Sequence, residues 1–233
     1  MSRTTILTQP RQLYGGEANV RLSTGTDQFS RSRWSLLFGG RYLNLNEKFE
    51  TNEALSDIPG LGAPGFNWSL DEHFSASNYF WGGQVGFGWD WSIGSAFVSI
   101  DYLVAVGRNH EKLLVLGGTS ATSQADGTVF LGPNRALLVA PSNVGTTTDN
   151  VTSVVQELTF HLGYNFNQYV NISVGYNFLY WNKLIQPNDQ LDTAINIQKL
   201  DVFDQVGPAR PAPRFQQSST WVHGLTLSLG FSF

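Results

Sequence analysis

The 233-residue chain has no cysteine, which excludes disulfides, thiolate nucleophiles and cysteine-ligated zinc together. Charged residues are also scarce, at 14% where soluble domains carry about 25%, so something other than water solvates part of the surface. Long apolar runs are missing too. None approaches the ~20 residues of a membrane-spanning helix, so hydropathy alone reads the chain as soluble, a reading that transmembrane β-barrels routinely escape. The formal net charge is -4, with no Lys/Arg cluster to track a phosphate backbone, which excludes nucleic acid as a partner. His73 and His110 are isolated and no pair of histidines has metal-ligand spacing, so neither a metal nor a cofactor is expected. The opening MSRTTILTQP lacks a charged segment followed by an apolar one, so no signal peptide is visible. An exported barrel needs such a leader, and the N-terminus is therefore expected to be shortened.

What the chain does have is glycine, aromatics and alternation: 24 Gly, 16 Phe, 8 Tyr and 7 Trp. The length suits a single domain over residues 1–233. The last fifteen residues, STWVHGLTLSLGFSF, place Trp221, His223, Leu225, Leu227, Leu229, Phe231 and Phe233 on one face. Val222, Gly224, Thr226, Ser228, Gly230 and Ser232 occupy the other. A period of two that sets large apolar residues opposite tiny polar ones predicts a strand between hydrocarbon and a narrow polar lumen.

Six further segments share this pattern, at residues 12–23, 33–47, 79–91, 96–111, 154–166 and 169–181. In the third, Tyr79, Trp81, Val85, Phe87, Trp89 and Trp91 alternate with Gly82, Gln84, Gly86, Gly88 and Asp90. Connections alternate in length: 24–32, 92–95 and 167–168 are short, and 48–77, 118–150 and 182–218 are long. Short turns at one rim and long loops at the other is the layout of outer-membrane barrels. The predicted fold is an all-β, antiparallel, up-and-down transmembrane barrel with about 7–8 strands. An even strand count calls for an outward strand before the first. Only Thr4 to Thr8 remains to supply it, at about half the 9–11 residues of a crossing.

Aromatics sort by depth. Trp34, Trp89, Trp91, Tyr164, Phe166, Phe231 and Phe233 fall beside the short turns, and Tyr42, Tyr79, Trp81, Tyr180 and Trp221 beside the long loops. Two interfacial girdles are expected on that basis.

Four stretches carry a resemblance: YGGEANVR (Tyr14 to Arg21), LFGGRYLNLNE (Leu37 to Glu47), VGYNFLYWNKLIQPNDQLD (Val174 to Asp192) and GPARPAPRF (Gly207 to Phe215). Through them the chain resembles the planctomycete-type outer-membrane beta-barrel family, a paralogous set whose molecular role is largely undefined. The similarity runs from Gln12 to Phe233, and members of the family are usually longer at the N-terminus. The resemblance implies a barrel in the bacterial outer membrane, with membrane lipid as partner and no catalytic motif. The closing strand, with Trp221, Leu225, Leu227, Leu229, Phe231 and a final Phe233, also resembles the signal read by the bacterial barrel-assembly machinery.

Candidate chemistry is thin. Gly60, Gly62 and Gly65 match the dinucleotide-binding spacing, but Pro64 and the lack of a strand before and a helix after point to a loop. Glu157, Thr159 and His161 share an inward face, where acid/base work is conceivable. The favoured reading is a charge cluster filling a narrow lumen, made of Glu17, Arg21, Arg41, Gln84, Asp101, Glu157 and His161, with Arg41 as the central cation. His223 faces outward near Trp221, where a girdle position accounts for it. The expected function is a non-enzymatic envelope barrel with a filled lumen and long outer loops. A narrow diffusion pore and a lipid-modifying barrel are the alternatives.

Overall fold

The computed structural model describes residues 3–24, 32–56, 65–194 and 209–231. These form β1 (Arg3–Thr8), β2 (Arg11–Ser23), β3 (Ser32–Ser56), β4 (Phe66–Ile93), β5 (Ala96–Ser123), β6 (Val129–Pro133), β7 (Gly145–Asn165), β8 (Val170–Ile185) and β9 (Gln217–Phe231), with one 3-10 turn at Pro187–Gln190. All pairings are antiparallel, in the order β1-β3-β4-β5-β7-β8-β9, with β2 also on β3 and β6 also on β5.

Two of the expected long loops are largely strand. β3, β4 and β5 run to 25, 28 and 28 residues, far beyond the 9–11 of a crossing. Segment 48–77 therefore continues the β3–β4 ladder on both sides of 57–64, and 118–150 contains the end of β5, all of β6 and the start of β7. The third, 182–218, holds the end of β8, the 3-10 turn and the start of β9. β1 is likewise not the stub of a separate crossing. It pairs with the far end of β3, Ile6 opposite Asn52, in line with β2, and the two part at Gln9 and Pro10, whose missing N–H suits a break on an edge. β6 and β7 divide the edge of β5 in the same way.

The period of two persists along these strands, but the apolar face changes sides. In the short-turn half the outward row of β3 is Trp34, Leu36, Phe38 and Tyr42, facing Trp89, Phe87, Val85 and Trp81 of β4. Beyond Tyr42 the outward row becomes Asn44, which is itself buried, then Asn46, Lys48, Glu50 and Asn52, and of the inward row Leu43, Leu45 and Phe49 are buried. The crossover is written as adjacent large residues, Tyr42-Leu43, Phe80-Trp81 and Tyr180-Trp181, with one of each pair on either face. Tyr42 and Trp81 meet outside with ring centroids 4.3 Å apart, while Phe80 and Trp181 meet edge-on inside at 6.0 Å. One half is thus dressed for hydrocarbon and the other for water around an apolar core.

Tight turns close the short-turn end. Gly94, at φ 58°, with Ser95 joins β4 to β5, and Asn167 accepts from the N–H groups of Tyr169 and Val170 between β7 and β8. The sheet is not closed. Among the described residues the β1/β2 edge and β9 have no strand partner on their free sides. With seven positions on the path these two edges run in the same direction.

Candidate functional site: the lumen and its far closure

Because inward positions of β2 to β9 carry glycine, hydroxyl or charged side chains within the apolar band, the lumen is narrow enough for charges on different strands to meet. The Arg41 guanidinium, 5% exposed, pairs with Glu17 of β2 and with Glu157 of β7. Gln84 donates to Glu17 at 2.9 Å and to Asn19 at 2.5 Å. Nearer the short turns, Arg21 pairs with Asp101 at 2.5 Å and with Asp90 at 3.5 Å, and Asp90 accepts from Ser99. The seven candidate lumenal residues therefore divide. Arg41 joins Glu17 and Glu157, with Gln84 beside them, and Arg21 rather than Arg41 takes Asp101. His161 lies over Gly175 and joins neither group; a Cβ at Gly175 would fall 2.7 Å from its Nδ1. Gly88 makes similar room, since a Cβ there would come within 2.5 Å of the Asp101 carboxylate and 3.3 Å of Arg21.

Above the crossover the inward side chains form two apolar clusters. One cluster joins Leu43, Leu45, Phe80, Ala105, Val155, Trp181 and Leu184. The next joins Phe49, Leu70, Phe74, Ala76, Leu113, Val115 and Ile185 to Ala136 and Val139, which belong to the connection between β6 and β7. That connection turns inward because its polar groups find partners there. Glu72, on the inward row of β4, accepts the Leu138 N–H at 2.5 Å and the Thr51 hydroxyl at 2.9 Å, and Asn143 spans Leu138 and Ala140. The connection before β9 leans on it, with Ser142 donating to the Pro211 carbonyl at 2.7 Å. Asp192, fully buried, gathers that connection. It accepts from the Ala212 N–H at 2.7 Å, from Arg210 at 2.7 Å and from the Ala194 N–H at 3.2 Å, with Arg214 at 3.5 Å.

These carboxylates titrate differently. Burial pushes Glu72 and Glu111 above the usual carboxylate range, outweighing the hydrogen bonds that each accepts. The Ala212 N–H and the Arg210 guanidinium hold Asp192 down at about 2. Glu111 has no exposed surface and accepts from Gln217 at 3.0 Å and Asn109 at 3.3 Å. Glu72, Glu111 and Asp192 escape a sequence reading that takes their segments as loop or strand end; Arg210 and Arg214 within ARPAPR were the available hint for Asp192.

The remaining candidates are peripheral. Trp221, Leu225, Leu227, Leu229 and Phe231 form an outward row on β9, and Phe233 lies outside the described residues, as do Gly60 and Gly62. His223 sits in that row with its ring 5.3 Å from Trp221. Among the described residues, no group of three or more metal-ligating side chains is placed to hold an ion.

Residues 7–233 match the family model described as Putative beta barrel porin-7 (BBP7). The chain belongs to this family. Family BBP7 accounts for the outward aromatic rows and the antiparallel ladder, and it makes the protein an outer-membrane β-barrel of porin type. No curated protein and no solved structure matches the chain.

Proposed function

We propose that this BBP7 barrel is a sealed envelope protein. It crosses the outer membrane with its short-turn half and holds a rigid, water-exposed tube above it. The observation that supports the reading is the apolar cluster of the outer half, where Phe49, Phe74, Val115 and Val139 pack together above the Arg41 cluster. Side chains packed to the density of a protein interior leave a solute no wide path. Nothing in the geometry calls for a reaction: His161 rests on Gly175 and His223 on a girdle tryptophan. The second reading is a narrow pore, favoured by the glycines of the lumenal row and by the family description. Planar-bilayer recording separates the two. The folded protein, identified by its gel mobility shift on heating, is expected to show no unitary steps. Discrete steps from that species overturn the sealed reading in favour of the pore.

A further inference from the structure

Five of the chain's cations, Arg11, Arg21, Arg41, Arg210 and Arg214, each meet a carboxylate. Arg108 and Lys112 of β5 do not, among the described residues, and both are exposed. They are outward residues separated by His110, directly above the apolar run Val98, Ile100, Tyr102, Val104 and Val106. Register fixes their neighbours. Arg108 lies between Trp81 and Thr152, His110 between Tyr79 and Asn150, and Lys112 between Ser77 and Thr148. No carboxylate stands in these rows; Glu111 and Asp149 belong to the inward row, and Glu50, higher on β3, is occupied by His73 at 2.9 Å and Lys48 at 3.8 Å. His110 is held by Asn150 at 3.1 Å. Below, Trp81 is 66% exposed and packed against Tyr42, which marks the outer headgroup level.

We propose that this ladder is a binding surface for an anionic phospholipid of the outer leaflet. Arg108 and Lys112 meet the headgroup phosphate, the serine, threonine and asparagine side chains around them meet its polar substituents, and the acyl chains run down over Trp81, Val106 and Val104. Two unpaired cations at the upper edge of an apolar band, in a field without carboxylates, are the charge complement of such a lipid. The inference rests on the membrane placement of the band and is independent of whether the lumen conducts.

Native mass spectrometry of the full chain in neutral detergent tests it, with phosphatidylglycerol against phosphatidylcholine of the same acyl chains. About fivefold preference per cation is expected at low salt, falling as salt rises. In the Arg108→Gln/Lys112→Gln variant the two lipids are expected to be retained equally. Should that variant fail to give the heat-shifted folded band, Thr152→Glu, an exposed change that pairs off Arg108, serves instead and is expected to lower the preference. Equal retention of the two lipids by the unaltered protein, or a preference that survives substitution, overturns the proposal. So does displacement of the lipid by inorganic phosphate alone, which would make free phosphate the ligand.

Discussion

At the scale of single residues, buried carboxylates are the informative exceptions. Glu111 is wholly enclosed and, among the described residues, has no cation against it, so its charge is a cost that the outer core tolerates. Its pKa in the fold lies above that of the unfolded chain. The stability it contributes is therefore fully present below the unfolded value and is lost as pH rises through the folded one. Glu111→Gln, with the Gln217 amide free to turn over and present its carbonyl, is expected to stabilise the barrel at pH 7 by on the order of 1 kcal/mol. The gain shrinks toward pH 4. Denaturant unfolding at the two pH values checks this, and an equal or negative effect at pH 7 contradicts it. Arg41 is the converse case, a buried cation whose two carboxylates must be kept, because truncating one partner leaves charge stranded in the wall.

At the scale of elements, the strands were legible wherever the apolar face pointed to lipid. Trp34 to Tyr42, Trp81 to Trp91 and Trp221 to Phe231 announce their two faces because hydrocarbon and lumen demand such different side chains. The continuation of β3 through KFETNEALS, from Lys48 to Ser56, alternates too, yet it reads as loop, since its large apolar residues sit on the opposite phase. Adjacent Tyr42-Leu43 and Phe80-Trp81 mark where the solvent of the outer face changes. The lumenal partners were legible as a set of charges on inward rows, but not as pairs, since register and barrel curvature decide that Arg21 reaches Asp101. In the connection before β9 one side chain gathers the most partners. Asp192 is held at about 2, so its contribution is present above the ordinary carboxylate range and is lost as pH falls through about 2. Asp192→Asn is expected to loosen the segment around Arg210 to Arg214, and limited proteolysis at neutral pH is expected to cut there many times faster while β3 to β5 stay intact. An unchanged cleavage rate contradicts the clamp.

At the scale of the whole molecule, the barrel is a single sheet serving two solvents. An apolar exterior and polar inner face belong to the short-turn half, and a polar exterior and apolar core to the other. Both β2 and β9 present unpaired backbone at the seam, at several kcal/mol for each group left without a partner in hydrocarbon. Arg11 already reaches from β2 to the Thr220 hydroxyl of β9 across the inner side of that seam. The separation of Arg11 and Thr220 is therefore within the reach of one arginine side chain, which suits a small barrel of about eight strands rather than a wide one.

The inversion of faces is the central claim, and the absence of cysteine makes it directly measurable, because every introduced thiol is unique. Single cysteines placed along the outward row of β3, at Leu36, Phe38, Tyr42, Asn46, Glu50 and Asn52, are reacted with a membrane-impermeant maleimide in the reconstituted barrel. The account predicts protection at Leu36 and Phe38, a change at Tyr42 and full labelling from Asn46 onward. Protection continuing through Asn46 and Glu50, or ready labelling at Leu36 and Phe38, would contradict it.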